Sequence, residues 1–305
     1  MNFRLTETKP MIKKFKGTDT EKYWKQKDSF FKLLLNSTSG LLDNEYSWLF
    51  NPIGIMKVRV GGQLMLLTLI EECLINDIVV VSANTDGIEV KLRKDQLDLY
   101  DRILKEVSDR FNLEFETETY KSIFYASVNS YIAINDAGYV KEKGEFVRKP
   151  ELGNSTDFLI ISNVLGDYFV KGMKPEDAIL NYKDIFLFCG SQKVSKQFDV
   201  YWNGEKLPQR LNRYYASKKG TYLYKLEKDE SWQKRIVEAK TPKDKKRIAN
   251  SKPNFQHLLK ESGVQLYNVH ENKPIEEYGI NYNFYLQAIK KRIAEIERLN
   301  QLTLF

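Results

Sequence analysis

Apolar residues recur at helical spacing through residues 12–50, and the repeat breaks near Gly17–Asp19. Asn51-Pro52-Ile53-Gly54 is expected to stop this helical region, since proline and glycine punctuate helices. Residues 58–75 are apolar on nearly every side, the pattern of a buried helix. Two β-rich runs, 78–83 and 88–92, flank Asn84-Thr85-Asp86-Gly87 and read as a hairpin. An amphipathic helix over 95–110 and two strands within 113–134 follow. Helices and antiparallel strands in this order predict an α+β fold, with helices on one face of the sheet. A composition shift near Lys149-Pro150 marks an expected domain boundary. Beyond it the pattern predicts helices over 155–171 and 175–188 and short strands between 198 and 226. A basic helical stretch over 232–250 and a last helix over 281–300 complete a mostly helical domain.

Charge sharpens this outline. The 305 residues carry 48 Lys and Arg against 41 Asp and Glu, a net charge of +7. The excess concentrates in 210–225, where tyrosines are interleaved, and in 240–252. A basic, aromatic-interleaved surface suits a polyanion backbone. Residues 1–17 lack the apolar core of a secretory signal, and no apolar run is read as spanning a bilayer. Cys73 and Cys189 sit in apolar contexts, expected to be buried, and suggest a reducing compartment. His257 and His270 have no Cys or His companion at ligand spacing, so no zinc site is expected. The expected location is cytoplasmic, without a membrane partner.

Three short strings carry candidate chemistry. Lys32, Asn36 and Gly40 are four apart and share one helix face. Lysine there can offer a point charge to a triphosphate, and glycine admits a close neighbour. The same string reads equally as a surface polar stripe ended by a glycine cap. Asp86 at a hairpin tip can present one carboxylate to a metal, although Asp-Gly is also ordinary turn chemistry. Arg210, Arg213, Lys218 and Lys219 surround Tyr214 and Tyr215 and can grip phosphates. The two tyrosines can pack on sugars or fill the core.

Lys32-Leu33-Leu34-Leu35-Asn36-Ser37-Thr38-Ser39-Gly40 resembles motif B of family B DNA polymerases, phage or bacterial type. Ser39 stands where that motif has tyrosine. Asn84-Thr85-Asp86-Gly87 resembles motif C, Asp-Thr-Asp-Ser, with Asn84 and Gly87 as departures. Asn129-Ser130-Tyr131 and Lys143-Gly144 resemble the family's Lys-x-Tyr strand and the Lys-Gly segment before the thumb, with Asn129 replacing lysine. Gln301-Leu302-Thr303-Leu304-Phe305 resembles the peptide by which bacterial replication proteins dock on the sliding clamp.

The resemblance implies part of the fingers in 1–50, the back of an antiparallel palm in 51–150 and a thumb in 151–305. It implies that Lys32, Asn36 and Gly40 bind deoxynucleoside triphosphate. Asp86 would be the shared ligand of two Mg2+ ions, with Glu89 the nearest competing carboxylate. Tyr131, Lys143, Arg210, Arg213, Lys218 and Lys219 would contact primer-template DNA. Gln301, Leu302, Leu304 and Phe305 would bind a clamp. No string resembling motif A, with its second aspartate and Tyr-Pro pair, occurs. The expected partner is therefore an upstream polymerase part, with the chain either a fragment or one subunit of a split enzyme. The competing reading is a catalytically degenerate nucleic-acid-binding module.

Overall fold

The computed structural model describes residues 3–148 and 158–302, with the backbone alone for Leu5, Gln301 and Leu302. It is a mixed α+β structure, about half helical, with several small antiparallel sheets and no closed barrel among the described residues. The chain divides into two compact units, Met1–Glu116 and Thr117–Phe305.

In the first unit, a π-turn at Arg4–Thr8 runs into α1 (Lys9–Lys14), and Gly17 takes a φ of +84° before α2 (Asp19–Asp43) begins. Arg4 donates two hydrogen bonds to the Asp28 carboxylate, at 2.9 and 2.8 Å, and the buried Thr8 hydroxyl donates a third at 2.7 Å. This clasp fixes the N-terminal turn on α2. No described residue of α2 is buried.

The next helix, α3 (Pro52–Ile75), corrects the expectation that 51–54 ends helical structure and that the helix starts at 58. Pro52 occupies the first turn, where its missing N–H costs nothing, and the Asn51 side chain accepts the Gly54 N–H at 2.8 Å. The punctuation that stops one helix here opens another. The expectation of a buried helix also fails. Ile55, Leu66, Leu69 and Cys73 are buried, while Ile53, Met56, Val58, Leu64 and Leu67 are exposed. By length and composition, α3 is long and apolar enough to cross a membrane, contrary to the sequence reading that no run is.

α3 packs on the hairpin β1 (Val79–Asn84) and β2 (Gly87–Lys91) and on α4 (Leu97–Phe111). Leu69, Cys73, Ile78, Tyr100, Ile103 and Val107 form this small core. Val81 is an extra residue in β1, since Val80 pairs with Val90 while Ser82 pairs with Glu89.

The second unit starts with β3 (Ser122–Ser127), β4 (Ser130–Ile134) and β5 (Val140–Lys143), a sheet of its own. The expectation of one palm sheet joining the 78–92 hairpin to the 113–134 strands is thus not met. β3 hydrogen-bonds to β4 alone, and the ladder of the hairpin is confined to β1 and β2. Helices α5 (Leu159–Lys171), α6 (Pro175–Leu180) and α7 (Ile185–Phe188) precede two further sheets. One orders β12 (Val264–Leu266), β9 (Leu211–Thr221) and β6 (Gly190–Lys193). The other orders β11 (Phe255–His257), β10 (Leu223–Glu227), β7 (Phe198–Trp202) and β8 (Glu205–Lys206). The basic stretch expected as one helix divides into α8 (Asp229–Val237) and α9 (Pro242–Ala249), because Thr241 caps and Pro242 restarts the turn.

Helix α10 (Tyr282–Leu302) crosses this unit. Its Tyr285 is fully buried; the hydroxyl donates to the Phe188 carbonyl at 2.7 Å and accepts the Ala216 N–H at 2.8 Å. Arg292 pairs with Glu145 through two bonds of 2.6 Å. Asn300 binds both the N–H and the carbonyl of Tyr125, at 3.0 and 2.9 Å, as a further strand would. Where β9 meets the turn before β12, a Cβ on Gly220 would lie 2.3 Å from the Val264 nitrogen, and one on Gly263 would lie 2.5 Å from the Gly220 oxygen.

Two expectations follow. The hydrogen bonds of Arg4, with that of Thr8, hold the Asp28 carboxyl down to about 2. A depressed carboxylate stabilises the fold above its unfolded value and loses that stabilisation as pH falls through the folded one. The clasp should therefore contribute about 2 kcal/mol above pH ~4 and lose it between pH ~4 and ~2. Asp28→Asn should lower the melting temperature at neutral pH and erase the difference from wild type near pH 2, in thermal melts across that range. Tyr285→Phe should strand two buried backbone groups and cost about 1–3 kcal/mol. Calorimetry should show a fall of about 2–4 °C for each kcal/mol in a unit of this size.

Candidate functional site

Lys32, Asn36 and Gly40 lie on one face of α2, and all three are exposed. Neither Lys32 nor Asn36 makes a side-chain hydrogen bond or ion pair with another described residue. Helix α2 runs past Gly40 to Asp43, so the glycine is not a cap. A Cβ at Gly40 would meet nothing within 4 Å. A glycine inside a helix costs about 1 kcal/mol relative to alanine, and no neighbour within the unit requires it. The stripe is surrounded by exposed Phe30, Leu33, Leu34 and Leu41. Its polar and apolar positions are both turned to the outside.

Asp86 sits in the two-residue turn Thr85–Asp86 between β1 and β2. The sequence suggested Asp-Gly as the turn pair; instead Gly87 already pairs with Asn84 in the ladder. The Asn84 carboxamide oxygen accepts the Thr85 N–H at 2.7 Å and the Thr85 hydroxyl at 3.1 Å, which stiffens the turn. Asp86 is exposed and makes no hydrogen bond or ion pair with another described residue. Val80, Ile88 and Val90 pack against the core shared with α3 and α4, and register puts Ser82 and Glu89 on the opposite face.

Magnesium takes about six oxygen ligands in near-octahedral geometry and keeps several waters. Asp86 is the one carboxylate in the turn, and the nearby amide oxygen of Asn84 is occupied by Thr85. No cluster of three or more His, Cys, Asp or Glu exists among the described residues. These residues do not make a two-metal site by themselves.

In the second unit, Tyr131 and Lys143 are cross-strand partners, with the ammonium 5.7 Å from the ring centre. Tyr131 is buried and packs 5.8 Å from Tyr125, so its ring serves the fold, while Lys143 is exposed. The basic strand β9 sorts in the same way. Tyr214 and Tyr215 are buried core residues. Half-buried Arg210 donates to the Val194 carbonyl at 3.1 Å, and exposed Arg213 lies over the Phe186 ring at 5.2 Å. Lys218 and Lys219 are exposed, with no side-chain partner among the described residues. At the start of α10, Tyr285 is a core residue and Tyr282 and Phe284 pack against that core, partly buried. Gln301 and Leu302 end α10 with side chains outside the described residues, and Leu304 and Phe305 lie outside them altogether.

Sequence reading missed two features. One is the exposed apolar surface of α2 and α3, since an apolar pattern such as that of residues 58–75 reports side-chain type and not burial. The other is an aromatic cluster on the outer face of the β7–β10–β11 sheet, formed by Tyr201, Tyr222, Tyr224, Phe255 and His257. Its signal was present as period-two aromatic pairs, Tyr222 with Tyr224 and Phe255 with His257.

No protein-family model matches the chain, and no curated protein sequence matches it.

Proposed function

We propose that the chain is the motif B, motif C and thumb portion of a family B-like DNA polymerase, with the second catalytic carboxylate supplied by other polypeptide. The observation that carries this reading is the pairing, in one compact unit, of the exposed Lys32–Asn36–Gly40 stripe with the exposed Asp86 turn, in the order of those motifs. In this reading Lys32 attracts the triphosphate as a point charge and Asn36 hydrogen-bonds beside it. Gly40 leaves room for a base pair or the primer strand. Asp86 brings one carboxylate to a magnesium site completed elsewhere, and the thumb follows the primer-template duplex. The exposed apolar residues of α2 and α3 support a large partner surface on the first unit, since patches of this kind mark interaction sites. The family tyrosine of motif B is Ser39, so whatever that ring does for nucleotide selection is done otherwise here. The C-terminal peptide, with Gln301, Leu302, Leu304 and Phe305, is proposed to tether the chain to a bacterial-type clamp.

Mixed with a polypeptide carrying motif A, the chain should extend a primer in the presence of magnesium, and alone it should not. In the mixture Asp86→Asn should reduce extension to background while DNA binding, followed by anisotropy, stays intact. Glu89→Gln should remain active. Loss of activity in Glu89→Gln with retention in Asp86→Asn would exchange their roles. Lys32→Ala should raise the nucleotide concentration for half-maximal rate and slow the step as well.

Lys218 and Lys219 are the free cations of β9, so duplex binding should depend on them and on salt. Replacing both by alanine should reduce the slope of log affinity against log salt by about 2. Equal weakening for unrelated duplex sequences is expected in the same titrations.

A further inference from the structure

The four-stranded sheet β11–β10–β7–β8 has one face in the core and one face out. Val200 and Leu223 are buried, and Trp202, paired with Leu223, donates its indole N–H to the Val264 carbonyl at 3.0 Å. Alternation therefore turns Tyr201, Tyr224, Phe255 and His257 outward, with Tyr224 directly opposite both Tyr201 and His257. Their rings form one contiguous cluster. Tyr201 and Tyr224 are parallel, with centroids 5.3 Å apart. Phe255 lies 4.9 Å from both Tyr224 and His257. Tyr222, between β9 and β10, lies 5.0 Å from His257. Tyr224 and His257 are central, while Tyr222 and Phe255 sit at the margin, 60% and 53% exposed. Rings this exposed and supported from behind by other rings do not serve a core.

The surroundings are cationic. Lys206 and Lys228 flank the face and share Asp199, at 2.7 and 3.6 Å. The α8–α9 arm is an insertion between the neighbouring strands β10 and β11. Buried Glu227, the last residue of β10, anchors it at two points: it pairs with Arg235 within α8 at 2.8 Å and, where the arm returns to β11, accepts the Asn254 N–H at 2.9 Å. The arm thus leaves and rejoins the sheet beside Phe255. It carries Lys240, Lys243, Lys245, Lys246 and Lys252, which make no ion pair among the described residues.

From this juxtaposition we propose that the outer face of the β7–β10–β11 sheet binds unpaired nucleic-acid strand, with bases stacked on Tyr222 and Phe255 and the phosphate backbone led along the lysines of the α8–α9 arm. Base faces are hidden inside a duplex and open in a single strand, so exposed rings select the unpaired form. Cations beside the rings supply the sequence-independent part of the affinity. The site uses none of Lys218, Lys219 and Asp86, and needs neither a nucleotide nor an upstream partner.

The test uses the full 305-residue chain with fluorescein-labelled 20-nucleotide oligo(dT), oligo(U) of the same length and a 20-base-pair duplex, at one salt concentration. Wild type should bind a single-stranded probe, and the preferred one of the two identifies DNA or RNA as the source. Tyr222→Ala with Phe255→Ala should weaken that binding about tenfold or more, with an unchanged melting temperature and duplex affinity within about twofold. The conservative pair Tyr222→Phe with Phe255→Tyr should retain the wild-type affinity. The proposal is overturned if wild type binds neither single strand, or if the alanine pair binds it as well as wild type. An equal loss of duplex binding in the alanine pair would also overturn it. Failure of primer extension in any mixture bears on Asp86 and leaves these outcomes unaltered.

Discussion

The Tyr285 hydroxyl is the contact on which the second unit turns. It is one oxygen, fully buried, yet it satisfies a backbone acceptor at the end of α7 and a backbone donor in the middle of β9. Both partners are main-chain groups that water cannot reach, so the hydroxyl sets the distance between α10 and the strand. Burial also pushes the phenol well above its ordinary value, which keeps it neutral and able to donate. Arg292 and Asn300 then continue the attachment along the same helix, to Glu145 and to β3. Strand β9, whose exposed basic side chains are Arg213, Lys218 and Lys219, is thus positioned by α10. The chemistry of the surface and the rigidity of the surface come from different elements.

The first unit is built on the opposite principle. Its core is six buried residues with a few partners, and much of its apolar side-chain surface faces outward. The Asp28 clasp compensates locally by fixing the N-terminal turn to α2 through three hydrogen bonds. The stripe of Lys32, Asn36 and Gly40 lies on the exposed stretch of a helix held by this clasp at Asp28 and, at its C-terminal end, by the 2.6 Å pair of Asp43 with Arg59 of α3. In the proposed polymerase reading, that exposed stretch is where nucleotide and partner polypeptide meet the chain.

Much of the local structure was legible in the sequence. The break at Gly17, the hairpin around residue 86, the amphipathic α4 and the final helix all follow from spacing and turn chemistry. What failed did so for identifiable reasons. Pro52 reads as a stop when the helix before it is in view, and as a start once the Asn51 cap is recognised. Residues 58–75 are apolar all round, but periodicity reports side-chain type, and burial depends on neighbours that a sequence does not place. The 78–92 hairpin and the 122–143 strands have similar patterns, and no local signal says that they belong to separate sheets. Of the site residues, exposure of Lys32, Asp86, Lys218 and Lys219 was readable from polarity. The inward turn of Tyr131, Tyr214 and Tyr215 was not, because tyrosine suits either side of a strand.

The contact between Gly220 and Gly263 has a genetic consequence. Each residue occupies space that the other would need for a side chain, so the two positions form a single steric compartment shared by β9 and the turn before β12. The first substitution at either site forces the backbones apart, and the second then enters a gap already opened. Their effects should be strongly epistatic, the double change costing far less than the sum of the singles. A lineage could cross that barrier only by way of an intermediate in which the basic end of β9 is already displaced.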